Sequence, residues 1–396
     1  MNLERQPIIN IGMLGCVSEG KSTTVYKLTN IKTQKHSKEL KKNITIKPGY
    51  ANLKIYKKDK CVTLKKTNKC INHLSFIDCP GHHMLIQTML GNINLMDGVI
   101  IVIAVNTPLQ TKNQLIEHLL ALKLTKISDI IIILNKLDLV SKSTVVNFRI
   151  ELDKLLFQLD IKPKVIIPAC LNMNLGLDYI LHHIVKFFKP KSKNKDCNSR
   201  FYISRSFDIN KSNINLLDLN GGVIGGSLTQ GNFKIGDEIE IKPGIIINKI
   251  PYSLKTKIIS LKSDNNSLDY IYPGGLIGIG TTIDPYYCKN DFLTGQLCGH
   301  VGFLPDNFTQ ITIKIEKNDN NLINEWIPKI KDIVNLQIST KLVKGQVSFI
   351  KNNYIVCLLS NIICIDYNTN ILITDNNNNK IIGFGIFIEN ENNIVI

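Results

Sequence analysis

Paired cysteines are missing from this sequence. Its ten cysteines stand singly and no C-x-x-C spacing occurs, which argues against zinc ribbons and a disulfide framework and leads one to expect a reducing compartment. Long apolar runs are missing as well. Val99 to Val105 and Ile130 to Leu134 fall far short of the roughly 20 residues that a spanning helix needs, so no membrane partner is expected. They have the length of buried parallel strands. The start, Met1-Asn2-Leu3-Glu4-Arg5, carries no signal-peptide pattern, and a cytoplasmic protein is expected. Acidic residues are scarce: 32 Asp and Glu face 48 Lys and Arg, a formal charge of +16. Between Lys35 and Lys69 twelve lysines meet only Glu39 and Asp59. Such a basic arm either faces RNA or is a solvated loop. The chain is also crowded with Ile, Lys and Asn, residues of A- and T-rich codons, and base bias raises lysine content without selection for binding. The same bias accounts for the low-complexity turn Asn376 to Asn379.

What is present is a change of period along the chain. From Pro7 to about Pro190, apolar strands (Ile8 to Leu14, Leu74 to Ile77, Val99 to Val105, Ile130 to Leu134, Val165 to Ile167) alternate with helical patterns (Thr23 to Asn30, His83 to Asn94, Gln114 to Leu124, Val145 to Leu159, Leu177 to Phe187). That alternation predicts an α/β, doubly wound, mostly parallel sheet. Lys189 to Lys195 has no apolar period and reads as a linker. Beyond it, glycine-punctuated short runs such as Asp237 to Ile241 and Leu276 to Ile279 predict one β-barrel. Gln310 to Ile315, Gln346 to Ile350, Tyr354 to Leu359, Ile371 to Thr374 and Ile381 to Ile388 predict a second all-β domain. The expected domains are 1–195, 196–299 and 300–396.

Three motifs carry chemistry. Gly15-Cys16-Val17-Ser18-Glu19-Gly20-Lys21-Ser22 satisfies G-x-x-x-x-G-K-[ST] between an apolar strand and a helix that opens with Thr23, the context a phosphate-binding loop requires. Its amides curl around phosphates, Lys21 sets a cation on the β and γ phosphates, and Ser22 offers a hydroxyl to Mg²⁺. In Asp78-Cys79-Pro80-Gly81-His82, Asp78 is expected to hold Mg²⁺ through a water. Gly81 is expected to give its NH to the γ phosphate, and His82 to orient the attacking water. In Asn135-Lys136-Leu137-Asp138, the Asp138 carboxylate accepts two N–H bonds from guanine. Adenine offers no such pair and leaves the carboxylate unsatisfied at about 1–3 kcal/mol, so GTP is expected. By spacing alone, Thr45 is a candidate further Mg²⁺ ligand that leaves with the γ phosphate.

Together with Asn43 to Ala51, these strings resemble a translational GTPase and, more narrowly, the gamma subunit of eukaryotic and archaeal translation initiation factor 2. Arg205 to Asp208, Gly221 to Ser227 and Pro273 to Thr281 are similar to that subunit's second domain. Gly295-Gln296-Leu297 and Gly302 to Pro305 are similar to its entry into the third. The resemblance implies a GTPase that carries methionyl initiator tRNA, assembles with alpha and beta subunits and acts on the small ribosomal subunit. It also implies activating and nucleotide-exchange factors, and the cytoplasm or an equivalent compartment with eukaryotic-type ribosomes. By the same resemblance Cys170-Leu171-Asn172 begins where the family has Ser-Ala beside the guanine oxygen. Asn43 and Tyr50 would lie near the tRNA, with Tyr50 either stacking on it or packing the switch. Cys16 and Glu19 stand where the family has histidines, Ser18 replaces alanine or aspartate, and His83 replaces an acidic residue. Of the family's two C-x-x-C pairs between Tyr56 and Leu74 only Cys61 and Cys70 remain, two ligands short of a closed tetrahedral site, so no zinc is expected. Two other readings stay open: an elongation-type carrier of another aminoacyl-tRNA, and a low-turnover GTP-binding scaffold for partner subunits.

Overall fold

The structure is a computed structural model and describes residues 4–34, 45, 47–58, 61–67, 69–82, 85–210, 219–316, 326–377 and 379–395. Asn43 and His83 lie outside them. The first sheet is made by apolar runs buried on both faces. In chain order its elements are β1 (Ile9–Leu14), α1 (Lys21–Thr29), β2 (Gly49–Lys58), β3 (Cys61–Thr63), β4 (Cys70–Asp78), α2 (Ile86–Ile93) and β5 (Gly98–Ala104). There follow α3 (Asn113–Leu124), β6 (Ile130–Asn135), α4 (Lys142–Gln158), β7 (Val165–Pro168) and α5 (Leu177–Phe187). The strand order is β3-β2-β4-β1-β5-β6-β7. β4, β1, β5, β6 and β7 run parallel, with a hydrophobic cluster on each face.

The described part of the basic stretch from Gly49 onward is not a free arm. Residues 49–58 and 61–63 form an antiparallel hairpin that extends the sheet at its edge. Along β2, Ala51, Leu53 and Ile55 are buried while Asn52 and Lys54 are only half-buried, the alternation of an edge strand. Lysines on the outer positions of such an edge also discourage pairing with another chain.

The remaining strands close into two barrels. In the first, the ring order is Glu238–Ile247, Leu297–His300, Arg200–Phe207, Val223–Gln230, Ile277–Thr281 and Ile250–Ser263, which pairs back to Glu238–Ile247. In the second it is Tyr354–Cys364, Lys341–Lys351, Ile333–Ile338, Asn370–Asp375, Ile381–Ile388 and Asn307–Ile315, which pairs back to Tyr354–Cys364. Each interior is filled by inward residues, such as Phe201, Ile203 and Ile224 in one, and Phe308, Ile311 and Leu336 in the other. The strand that reaches His300 belongs to the first barrel rather than opening the second. Among the described residues no helix is long and apolar enough to cross a membrane.

Both barrels are fastened to the sheet. Gln6 Nε2 donates to the carbonyls of Tyr272 (2.7 Å) and Gly274 (3.1 Å), and Asn10 Nδ2 donates to Ser227 Oγ (2.9 Å). From the second barrel, Leu372, Ile381 and Phe384 join the cluster that covers one face of the sheet. Lysines of the stretch read as a linker dock on that sheet: Lys193 Nζ is 2.8 Å from Asp97 Oδ1 and Lys191 Nζ 3.1 Å from Asp129 Oδ2.

Candidate nucleotide site

β1 ends at Leu14 and α1 begins at Lys21, so residues 15–20 turn at the carboxyl end of the central strand, where ligands of such sheets sit. Gly20 has φ 107°, and a Cβ there would strike the Asn135 side-chain amide. That amide donates to the Glu19 carbonyl (2.9 Å), and Asn135 Oδ1 accepts from the Leu171 NH (3.2 Å). One asparagine thus ties together the phosphate loop, the end of β6 and the loop after β7. No side chain caps α1, which leaves the amides of its first turn for an anion. Lys21 is buried, and its Nζ donates to the carbonyls of Gly15 (2.9 Å) and Cys16 (2.7 Å). Burial pulls its pKa below the usual lysine range, while Asp78 and Glu19 oppose that shift.

The three residues named for Mg²⁺ come together. Ser22 Oγ donates to Asp78 Oδ2 (2.7 Å) and lies 3.2 Å from Thr45 Oγ1. Hydroxyl and carboxylate oxygens are the donor set that a hard divalent ion prefers, so these residues fit Mg²⁺. Thr33, which no motif marks, donates to the same Asp78 oxygen at 2.5 Å. Gly81 passes against the phosphate loop so closely that a Cβ there would meet the Lys21 ammonium. His82 follows at the cavity wall.

The cavity encloses about 550 Å³. The loop and helix residues Val17, Ser18, Gly20, Lys21, Ser22 and Thr23 line it, as do Thr45, Gly81, His82, Asn135, Lys136 and Asn172. Tyr26, within the helix already expected, and Lys32, Thr33 and Gln34, after it, line it too; no motif marks them, and sequence reasoning misses them. Asp138 and Cys170 are not among the lining residues; next to Lys136, the Cys170 thiol donates to Asp138 Oδ1 (2.9 Å). Burial, and then that bond, raise the thiol's pKa.

Some of the named side chains do not reach the cavity. Cys16 is buried, its pKa pushed up to about 11 chiefly by desolvation. The Glu19 side chain turns beneath the loop to Lys112. Tyr50 has its hydroxyl buried against the first barrel near Ser204 and Arg205, and burial pushes its pKa up to about 12. The hydroxyl end thus packs against that joint, while the residue as a whole is half-buried. Cys70 sits half-buried with its thiol 3.5 Å from the Asn72 carbonyl, and the side chain of Cys61 lies outside the described residues.

Residues 6–191 match the family model of the Elongation factor Tu GTP binding domain. Over 326 residues the chain is 42% identical to Translation initiation factor 2 subunit gamma of Methanocaldococcus jannaschii, covering 78% of each protein. The chain belongs to the translation initiation factor 2 gamma family. Two further relatives are similar over most of the chain. One is the Eukaryotic translation initiation factor 2 subunit gamma of Encephalitozoon cuniculi, 38% identical over 79% of this chain and 76% of that protein. The other is the Eukaryotic translation initiation factor 2 subunit 3 of Drosophila melanogaster, 32% identical over 97% of this chain and 89% of that protein. Among solved structures, the fold is similar to a bacterial selenocysteine-specific elongation factor, with a TM-score of 0.76 at 20% identity, covering 96% of this chain and 58% of that one. It is also similar to elongation factor SelB of Methanococcus maripaludis in complex with the GTP analogue GppNHp, with a TM-score of 0.75 at 20% identity, covering 97% of this chain and 80% of that one. As a gamma-family member the protein is a GTP-dependent translation initiation factor and a translational GTPase.

Proposed function

We propose that the chain, in its GTP form, binds methionyl initiator tRNA and delivers it to the small ribosomal subunit together with alpha and beta subunits, and that hydrolysis releases the tRNA. One observation carries this reading. Thr45 lies 3.2 Å from Ser22 Oγ, and Lys47, two residues on, is ion-paired with Asp291 of the first barrel. Asp291 also accepts from Arg205 Nε at 2.8 Å. A residue that joins or leaves the metal site therefore shares a few ångströms of backbone with one that grips a barrel, which is the architecture of a nucleotide-controlled switch.

In this reading the loop amides and Lys21 bind the phosphates, the Gly81 NH takes the γ phosphate, and Asp138 reads guanine, while Asn135, bonded to the Leu171 NH and the Glu19 carbonyl, ties the base-reading loops to the phosphate loop. Ser22 and Thr45, with Asp78 through a water, would hold Mg²⁺, which when bound would neutralise charge on the β and γ phosphates. Thr33 orients Asp78. His82 orients the attacking water. Turnover is slow alone and stimulated by an activating partner, an interval of roughly three to five decades in related chemistry. The working units are 1–195, 196–299 and 300–396, except that His300 goes with the first barrel; the setting is the cytoplasm or an equivalent compartment, and no zinc is assigned to Cys61 and Cys70.

The test is binding of charged initiator tRNA to the purified chain with a GTP analogue or GDP, with and without the alpha subunit. Initiator tRNA is expected to bind at least roughly tenfold tighter in the GTP form and to be preferred over elongator tRNA. Equal binding in both nucleotide states, or no preference among tRNAs, overturns the reading. His82→Ala is expected to lower stimulated hydrolysis by roughly 10²- to 10⁴-fold with GTP affinity nearly unchanged. Unchanged turnover would remove His82 from its role.

A further inference from the structure

Beneath the phosphate loop, on the side away from the cavity, an acid and a base are sealed together. Lys112 Nζ lies 2.6 Å from Glu19 Oε1, with side chains only 4% and 5% exposed. Glu19 Oε2 accepts the NH of Ala104, the last residue of β5. Lys112 also donates to Thr107 Oγ1 at 2.6 Å and stands immediately before α3. The Glu19 carbonyl, as already noted, accepts from Asn135 Nδ2 at 2.9 Å. One loop residue is thereby anchored to β5, to the start of α3 and to the guanine motif. Two ions buried this deeply depend on each other, because removing one strands the other in a medium that solvates it poorly. Around the loop the charges balance: Lys21 and Lys112 are matched by Asp78 and Glu19, all buried.

We propose that the Glu19–Lys112 pair positions the phosphate loop and sets the charge beneath it, and so sets the balance between GTP and GDP. This rests on the reading that the loop holds the phosphates. GTP carries one more negative charge than GDP, whether or not each brings Mg²⁺. A net charge just under the loop therefore acts on GTP more strongly. Without Lys112, the remaining carboxylate repels the extra phosphate. With Glu19 neutralised, the remaining ammonium attracts it. For two unit charges about 10 Å apart in a partly screened medium the interaction amounts to roughly tenfold in an equilibrium constant, which sets the scale for the ratio of GTP to GDP affinity. The two single changes have opposite signs, and the double change cancels. A role confined to loop stability would weaken both nucleotides in both single variants, with no opposition of sign.

The experiment is calorimetric titration of the full chain with GDP and with a non-hydrolysable GTP analogue, both with Mg²⁺, alongside thermal unfolding of each protein. Lys112→Met is expected to move the affinity ratio roughly tenfold toward GDP and Glu19→Gln roughly tenfold toward GTP. The double variant is expected to return it to within about threefold of the unaltered protein. Single variants that move the ratio in the same direction, or a double variant that keeps the full effect of either, overturn the proposal. Should Lys112→Met fail to fold, Glu19→Gln must still favour GTP and the double variant must still fold and reverse it; anything else overturns the proposal. Binding with an unmoved ratio removes this inference alone, whereas an unaltered chain that binds neither nucleotide removes the nucleotide site and the inference with it.

Discussion

Asp138 receives the Cys170 thiol at 2.9 Å, and because a thiol is a weak donor the carboxylate remains a strong acceptor for the paired N–H groups of guanine. Asp138→Ala is expected to raise the Kd for GTP by about 10- to 100-fold, a loss of about 1.5–3 kcal/mol, with ATP bound as poorly as before. A change of less than about twofold in calorimetry would take the base-reading role from it. His118, on α3, is 2% exposed, and its Nδ1 makes no hydrogen bond among the described residues. Burial, and then the charge of Lys21, lower its pKa from 6.5 to about 3. The unfolded chain binds the proton near 6.5 and the folded chain only near 3. Neutral His118 therefore costs nothing above 6.5, and stability falls as pH drops between these values, by up to about 1.4 kcal/mol per pH unit. Denaturant unfolding at pH 4.5 and 7 should show this slope, and His118→Met should flatten it.

At the scale of elements, the segment from Thr45 into β2 and the helix α2 reach different barrels. Burial alone would raise the Asp291 pKa, but hydrogen bonds from Lys47 and Arg205 outweigh it and hold the carboxyl below its usual range. That carboxylate is the first barrel's grip on the segment carrying Thr45. Asp291→Asn is expected to reduce the advantage of GTP over GDP in initiator-tRNA binding by about fivefold or more, with the barrel still folded. An unchanged advantage in a filter-binding assay would show that Lys47 and Asp291 do not couple the two sites. Meanwhile α2 lies on the second barrel, where Gln87 Nε2 donates to Asn379 Oδ1 at 2.5 Å and Gly91 packs against Gln337. In the sequence Asn376 to Asn379 reads as a turn produced by base composition. In the fold, Asn379 holds the helix that follows His82.

For the whole molecule, the seam between the sheet and the first barrel depends on Pro273-Gly274-Gly275. Gly274 has φ 111°, and a Cβ there would run into the Ile8 carbonyl. Gly274→Ala is expected to destabilise the assembly by about 2 kcal/mol or more, read as a lower unfolding temperature of the full chain. An unchanged transition would mean that the seam is not held there. Between the barrels, Arg200 donates from Nε and Nη2 to Asp366 at 2.8 and 2.9 Å, and from Nη1 to the Phe303 carbonyl at 2.9 Å. This planar bidentate clamp has a geometry that lysine cannot copy.

The sequence by itself determined the parts whose physics is local. A phosphate loop is read from neighbouring residues because its amides belong to neighbouring residues, and β5 and β6 are read from continuous apolar runs because both their faces are buried. α5 falls on the same residues as its periodicity, Leu177–Phe187. The β2–β3 hairpin was hidden because an edge strand carrying lysines has the composition of a solvated loop. Ile250–Ser263 was hidden because no residue before Thr256 is buried, so its first half lacks an apolar inward face. Only the tertiary structure decided that Thr33 donates to Asp78, that Glu19 turns to Lys112, 93 residues away in sequence, and that the Tyr50 hydroxyl is buried against the first barrel. Those pairings depend on distances between segments remote in the chain, which side-chain type and spacing do not encode.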